Sequence, residues 1–259
     1  MIDIHCHVLP GVDDGADTPE TARGMLERGA ADGTAAAVLT PHLFPHDDQE
    51  KCRLHEEAFA VLARDHGDGM ELHLGAEIRF RFGMAELAAH PAARLAGGPY
   101  VLVDLPFGNW PMEIGLERGF FELRAAGYKP ILAHPERHPQ LLEKAGLLGR
   151  LREQEVCFQV NGGSLCGAFG RRARAGAEGL LDRGWVEIVA SDGHDLRRRP
   201  FSLRAARAAV TERAGEAEAL RLLEENPRRA VAGEPLVAGR GRRRRRRPGI
   251  VRRLLGSWS

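Results

Sequence analysis

Seven short apolar runs in this chain each lead into a side chain able to bind a cation or a polar ligand. The runs cover residues 2–4, 35–39, 71–76, 100–103, 130–133, 156–160 and 186–190. They lead into His5 and His7, His42, Glu77, Asp104, His134, Asn161, and Asp192 with His194. Longer helix-like segments separate them, with Thr18-Pro19 as an N-cap and first-turn proline and Gly33, Gly67 and Gly127 at C′ positions. Apolar runs alternating with helices predict an α/β fold with parallel strands. In α/β barrels the loops after the strands converge on one mouth, so side chains remote in sequence are expected to meet there.

The chain has 259 residues, a length that suits one such barrel, and 43% hydrophobic residues to fill its core. Residues 1–238 are read as one domain and 239–259 as a basic tail. Residues 240–259 hold nine arginines and no acidic residue, which leaves a net charge of −8 on residues 1–239. An acidic body suits cations, and a basic tail suits an anionic contact. The four cysteines lack CxxC pairing, so reduced thiols are expected. The first residues carry no leader pattern and no apolar stretch is long enough to span a bilayer, which points to a cytoplasmic protein.

His5-Cys6-His7 puts two imidazoles on one side of an extended backbone, where they can share an ion. The tripeptide alone fits a hydrogen-bonded or surface pair as well. Asp13-Asp14-Gly15 reads by itself as a turn whose side chains bond the backbone, and His42 and Glu77 are each explicable as polar strand ends. Asp104 closes a fully apolar run and needs a partner to offset desolvation. His134 in 133–137 and the Asp192/His194 pair complete the set. The other six histidines, His46, His55, His66, His73, His90 and His138, are taken as structural or solvated. A nitrogen and oxygen donor set without thiolates suits Mn²⁺, with Zn²⁺ or Fe²⁺ as alternatives.

Cys166 with Arg172 spells the C-x5-R of cysteine-dependent phosphatases. The flanking residues disagree with that motif, and a chain this rich in arginine produces such matches by accident.

Taken together, the segments 1–15, 40–42, 75–77, 131–137, 159–164 and 190–194 resemble the polymerase and histidinol phosphatase (PHP) superfamily. Within it they are most similar to the manganese-dependent tyrosine phosphatases of bacterial capsule and exopolysaccharide loci, the CpsB group, in order from residue 1 to about 236. The resemblance implies a distorted (βα)7-type PHP barrel with the metal site at the C-terminal ends of the strands and two or three Mn²⁺ ions. It implies that His5, His7, Glu77 and Asp192 hold one ion, that a bridging Glu77 with Asp104 and His134 holds a second, and that Asp14, His42 and His194 hold a third. Arg137 and Arg199 match positions that grip phosphoryl oxygens. Where this chain has Asp104 the family usually has Glu, one methylene longer.

The activity so implied is hydrolysis of phosphotyrosine on an autophosphorylating tyrosine kinase that controls polysaccharide export. A small-molecule phosphomonoesterase such as a histidinol phosphatase, and a non-catalytic metal-binding regulator docking through its tail, are the competing readings. The resemblance leaves the tail unexplained. A disordered tail is the first reading, contact with an anionic membrane through Ile250, Val251, Leu254, Leu255 and Trp258 the second, and nucleic acid or an acidic kinase segment comes third, with no nucleic acid partner expected.

Overall fold

The computed structural model describes residues 1–67, 69–106 and 112–241. Most of the tail, residues 242–259, lies outside them, and so do the readings placed on it. Among the described residues nine strands form, all paired in parallel: β1 (Ile2–Cys6), β2 (Ala36–Leu39), β3 (His42–Leu43), β4 (Glu71–Leu74), β5 (Glu77–Arg79), β6 (Tyr100–Asp104), β7 (Lys129–Ala133), β8 (Cys157–Asn161) and β9 (Ile188–Ala190). Seven of them coincide with the seven apolar runs. The other two arise because the second and third runs break and resume at Thr40-Pro41 and Gly75-Ala76.

Proline has no N–H to give a ladder, so at Pro41 the pairing is carried across by neighbours. Thr40 N donates to Cys6 O at 2.9 Å, Gly75 N to Leu39 O at 2.9 Å and Glu77 N to Pro41 O at 3.1 Å. The two ladders, β1-β2-β4 and β3-β5-β6-β7-β8-β9, thereby run on from one another. The last strand also returns to the first. Cys6 bridges Gly193, Asp192 N donates to His5 O at 2.8 Å, and His7 N donates to Gly193 O at 2.8 Å. The buried Asp3 carboxylate braces this seam by accepting Ser191 N at 3.1 and 3.2 Å. The result is a distorted seven-membered parallel ring: the alternation of runs and helices anticipates its parallel strands, and the resemblance its distorted barrel form.

Strands covered on both faces read as apolar runs: β2 and β6 are buried at every position, and β6 turns polar only at its last residue, Asp104. The face carrying Val38, Leu102, Ile131 and Ile188 forms an apolar floor with Ile4. The same face becomes polar toward the strand ends, because Glu77 pairs with Leu102 and Gln159 with Ile188. The opposite face packs under the helices through Val101, Val103, Leu132, Phe158 and Val189. Helix Pro19–Asp32 starts where Thr18 accepts Thr21 N at 3.2 Å and stops at Gly33, whose φ of 96° a residue with a Cβ rarely adopts.

The described chain stays packed to its end. Val237 O accepts from Arg221 and Asn226 at 2.7 and 2.9 Å, and Gly239 and Gly241 lie against the Arg183–Gly184 backbone. No helix among the described residues is long and apolar enough to cross a membrane.

Candidate metal centre

Each strand end delivers its side chain to one buried cluster above the apolar floor. His5 and His7 are wholly buried, and their Nε2 atoms stand 3.2 Å apart. Cys6 between them points the other way, its Sγ 3.5 Å from Val38 O, as alternation along a strand requires. Burial holds the Cys6 thiol well above its usual pKa, so it offers no thiolate.

His5 Nε2 lies 3.3 Å from Glu77 Oε1 and 3.5 Å from Asp192 Oδ1; His7 Nε2 lies 3.3 Å from Glu77 Oε2 and 3.6 Å from Asp192 Oδ1. Donors sharing one ion at about 2.1 Å stand roughly 3 to 3.5 Å apart, so these four residues have the spacing of a coordination set. A second group gathers beside it. His134 Nε2 is 3.0 Å from Glu77 Oε1 and 3.8 Å from Asp104 Oδ1, which places Glu77 between the two groups. A third group joins His42 Nε2 and His194 Nε2 to Asp14 Oδ1 at 3.3 and 3.5 Å, with the His7 ring 3.8 Å from that of His194. All nine residues expected to bind metal therefore lie close together, in overlapping groups of three or four that could each hold an ion.

Asp104 Oδ1, His134 Nδ1 and His194 Nε2 are buried and make no hydrogen bond, while His42 Nδ1 and Glu77 Oε2 form an ion pair with each other at 2.9 Å and Asp192 Oδ1 one with Arg199 at 2.6 Å. An unsatisfied buried polar atom costs about 1–3 kcal/mol, more when charged. A cluster of them pointing inward fits divalent cations, which would satisfy several at once. Burial opposes charge on His5, but Glu77 and Asp192 outweigh it and lift its pKa to about 9. His42 is raised to about 11, against its own burial, by Glu77 and Asp14. Glu77 is held well below the usual carboxylate range, against burial, by His5 and His42. Burial and the neighbouring Glu77 push Asp104 up to about 6.

Around the cluster, further side chains aim the imidazoles. His7 Nδ1 lies 2.7 Å from Asp13 Oδ2, which also accepts His42 N at 3.0 Å, and this turns His7 Nε2 inward. His5 Nδ1 meets Gln159 Oε1 at 3.0 Å; Gln159 Nε2 donates to Asn161 Oδ1 at 2.9 Å, and Asn161 Nδ2 to Asp192 Oδ2 at 2.5 Å. His134 and Asp192 both adopt positive φ, 30° and 54°, a strained choice for residues with a Cβ that serves to direct their side chains. At the mouth, Arg199 Nη2 reaches Asp192 Oδ1 at 2.6 Å and Arg137 Nη1 reaches Asp192 Oδ2 at 3.4 Å. Cys166 and Arg172 do not join: Cys166 is exposed at the end of a four-residue helix, and Arg172 pairs with Glu143 on the surface at 2.9 Å.

A family model for capsular polysaccharide synthesis proteins, CpsB/CapC, matches residues 1–232. This chain belongs to the CpsB/CapC family. Tyrosine-protein phosphatase YwqE of Bacillus subtilis is 33% identical over 234 residues, covering 87% of this chain and 89% of YwqE. Tyrosine-protein phosphatase CpsB of Streptococcus pneumoniae is 26% identical over 241 residues, covering 89% and 98%. A crystal structure from a study of these two proteins, described there as unique metal-dependent tyrosine phosphatases, matches with a TM-score of 0.81 at 28% identity, over 92% of this chain and 97% of that one. The phosphotriesterase homology protein of Escherichia coli shares the fold alone, with a TM-score of 0.54 at 14% identity.

Within this CpsB/CapC chain, four residues matter that sequence reasoning passed over or placed elsewhere. Asp13 is an imidazole anchor and not simply a turn residue. Gln159 shares a strand face with Asn161, a signal that spacing carries. Arg79 approaches Asp104 Oδ2 at 2.9 Å. His138, taken as structural or solvated, is 4% exposed and sits in the cluster with Asp104 and His134; it follows a 3-10 turn and no apolar run, so the strand-end rule does not reach it.

Proposed function

We propose that this CpsB/CapC chain is a metal-dependent protein-tyrosine phosphatase, using His5, His7, Asp14, His42, Glu77, Asp104, His134, Asp192 and His194 as metal ligands and Mn²⁺ as the resident ion. The observation that carries this reading is the convergence of those nine nitrogen and oxygen donors in one cluster, eight of them buried and Asp14 exposed at its edge, with two guanidinium groups at its mouth. The family names and the metal-dependent structural relative support it. Divalent ions in such a cluster supply Lewis acidity and water activated near neutral pH.

The chain's own residues do the rest. Arg137 and Arg199 are only partly exposed, and their planar forks match phosphate oxygens in shape and charge. Asp192 now orients both, so the arginines face the place where charge grows on a transferring phosphoryl group. Two half-buried rings flank the mouth. Phe44 lies 5.3 Å from the His42 ring, and Phe169 stacks on the Arg137 guanidinium at 4.1 Å. Flat apolar rings beside such a site suit an aryl phosphate. A phenolate leaving group, whose parent acid has a pKa near 10, also departs without a strong general acid.

The substrate we favour is an autophosphorylated tyrosine kinase of capsule synthesis, met in the cytoplasm at the inner face of the membrane, with the domain ending near residue 238 and the basic tail contacting anionic lipid. The deciding assay strips metal with chelator, restores Mn²⁺, Zn²⁺ or Fe²⁺ separately, and compares turnover of a phosphotyrosyl peptide, a phosphoseryl peptide and histidinol phosphate. Phosphotyrosine turnover that returns best with Mn²⁺ is the expected result. Preference for histidinol phosphate, or activity undiminished by chelation, overturns the reading. Deleting residues 240–259 should lower binding to anionic vesicles; unchanged binding rejects the membrane role.

A further inference from the structure

The second group of donors contains one imidazole that neither the family resemblance nor the strand-end pattern assigns. We propose that His138 is itself a metal ligand, completing the site of Glu77, Asp104 and His134 and compensating for the short reach of Asp104. The inference rests on the metal-dependent reading above.

Asp104 has a short side chain that keeps its carboxylate one C–C bond, about 1.5 Å, closer to the backbone than a glutamate would. Its Oδ2 faces Arg79 at 2.9 Å, so Oδ1 is the atom left to point into the cluster. Oδ1 is buried and makes no hydrogen bond. It lies 3.8 Å from His134 Nε2 and 3.9 Å from His138 Nε2, and one ligand atom from each of the three residues falls within 4.8 Å of the others. Donors about 2.1 Å from one ion are separated by roughly 3 Å when adjacent and about 4.2 Å when opposite, a range that holds both separations.

His138 is also fixed in place. Its N–H donates to Pro135 O at 3.1 Å, closing the turn Pro135–Arg137, and its carbonyl accepts Leu141 N at 3.0 Å at the start of helix Pro139–Glu143. Its ring stacks on that of His134 with centroids 6.0 Å apart and planes at 21°. A rigid, nearly buried imidazole directed at the orphaned oxygen of a shortened carboxylate is placed as a replacement donor. A histidine that only supports its neighbours could weaken metal binding when removed but would not itself bond the ion, and the test turns on that difference.

Metal content per chain and affinity by chelator competition are measured on Mn²⁺-reloaded wild type, His138→Gln, the double variant His138→Gln/Asp104→Glu, and His73→Gln as a histidine outside the cluster. We expect His138→Gln to lose about one ion per chain, with His73→Gln unchanged and the longer carboxylate of the double variant restoring occupancy. Wild-type occupancy and affinity in His138→Gln overturn the proposal while leaving the metal-dependent reading intact; a wild type that takes up no metal overturns that reading and the proposal with it. Wild-type protein with labelled histidine and cadmium in place of manganese gives a check that needs no variant to fold. Cadmium–nitrogen scalar coupling at both His134 and His138 is expected, and coupling at His134 without any at His138 refutes the assignment.

Discussion

A metal-binding imidazole is aimed when its other nitrogen is held by a hydrogen bond, and for His5 and His7 the holding is done by ordinary polar side chains. Asp13 does it for His7 at 2.7 Å and Gln159 for His5 at 3.0 Å. Asp13→Ala should therefore weaken metal affinity by about 10- to 100-fold with little change in fold, as read by chelator competition and circular dichroism; unaltered affinity would show that Asp13 is a turn residue after all. Arg199 is argued to act on the substrate side. Its replacement by Lys keeps the charge and loses the fork, so kcat/KM for a phosphotyrosyl peptide should drop at least tenfold while metal content stays constant. Equal activity in Arg199→Lys would count against a bidentate grip. Most of these residues were legible because they end apolar runs. His138 and Asp13 were not, since a histidine after a turn and an aspartate before glycine have commoner uses that only neighbours can exclude.

At the scale of elements, the loop between β1 and helix Pro19–Asp32 shows how backbone packing sets up chemistry. Gly15 reads as a turn glycine in Asp13-Asp14-Gly15, yet its φ is not in the positive region. What it needs is closeness: a Cβ there would overlap the His7 carbonyl oxygen and Cβ. That contact lets Ala16 N donate to His7 O at 3.0 Å and Gly15 N donate to Asp13 Oδ1 at 2.9 Å, folding the loop back onto the strand. Gly15→Ala should push the loop off His7, lowering Tm by several degrees and reducing bound metal, measured by thermal melts with and without Mn²⁺. A variant with wild-type Tm and metal content would mean that the loop yields freely. The seven apolar runs were readable as strands because their length and β-branched content leave few alternatives. The breaks at Thr40-Pro41 and Gly75-Ala76 were not, because the hydrogen bonds that carry the ladder across them come from other segments.

For the whole molecule, the cluster links stability to pH and to metal. Without metal, His5 has its pKa raised from 6.5 to about 9 and His42 to about 11. A folded-state pKa above the unfolded value contributes stability that is full below pH 6.5 and disappears as pH rises through the folded value. Chelated protein should accordingly lose Tm between pH 7 and pH 9.5. Metal binding displaces those protons, so Mn²⁺-loaded protein should lose less over the same interval and the stabilisation by metal should grow with pH. Melting curves at the two pH values with and without Mn²⁺ test this; a chelated protein whose Tm holds or climbs would show that the imidazoles are not kept charged by Glu77, Asp192 and Asp14.

The sequence by itself determined the kind of fold, the order of its parallel strands' apolar runs and the chemical type of side chain at each strand end, because those depend on local patterning and on the geometry common to βα repeats. Only the tertiary structure decided which atoms stand within an ion's reach of one another, how the last strand meets the first through Cys6 and Gly193, and that His138 faces Asp104. Coordination turns on separations of a few tenths of an ångström between segments a hundred or more residues apart. No spacing along a chain encodes distances of that kind; the packing of the ring does.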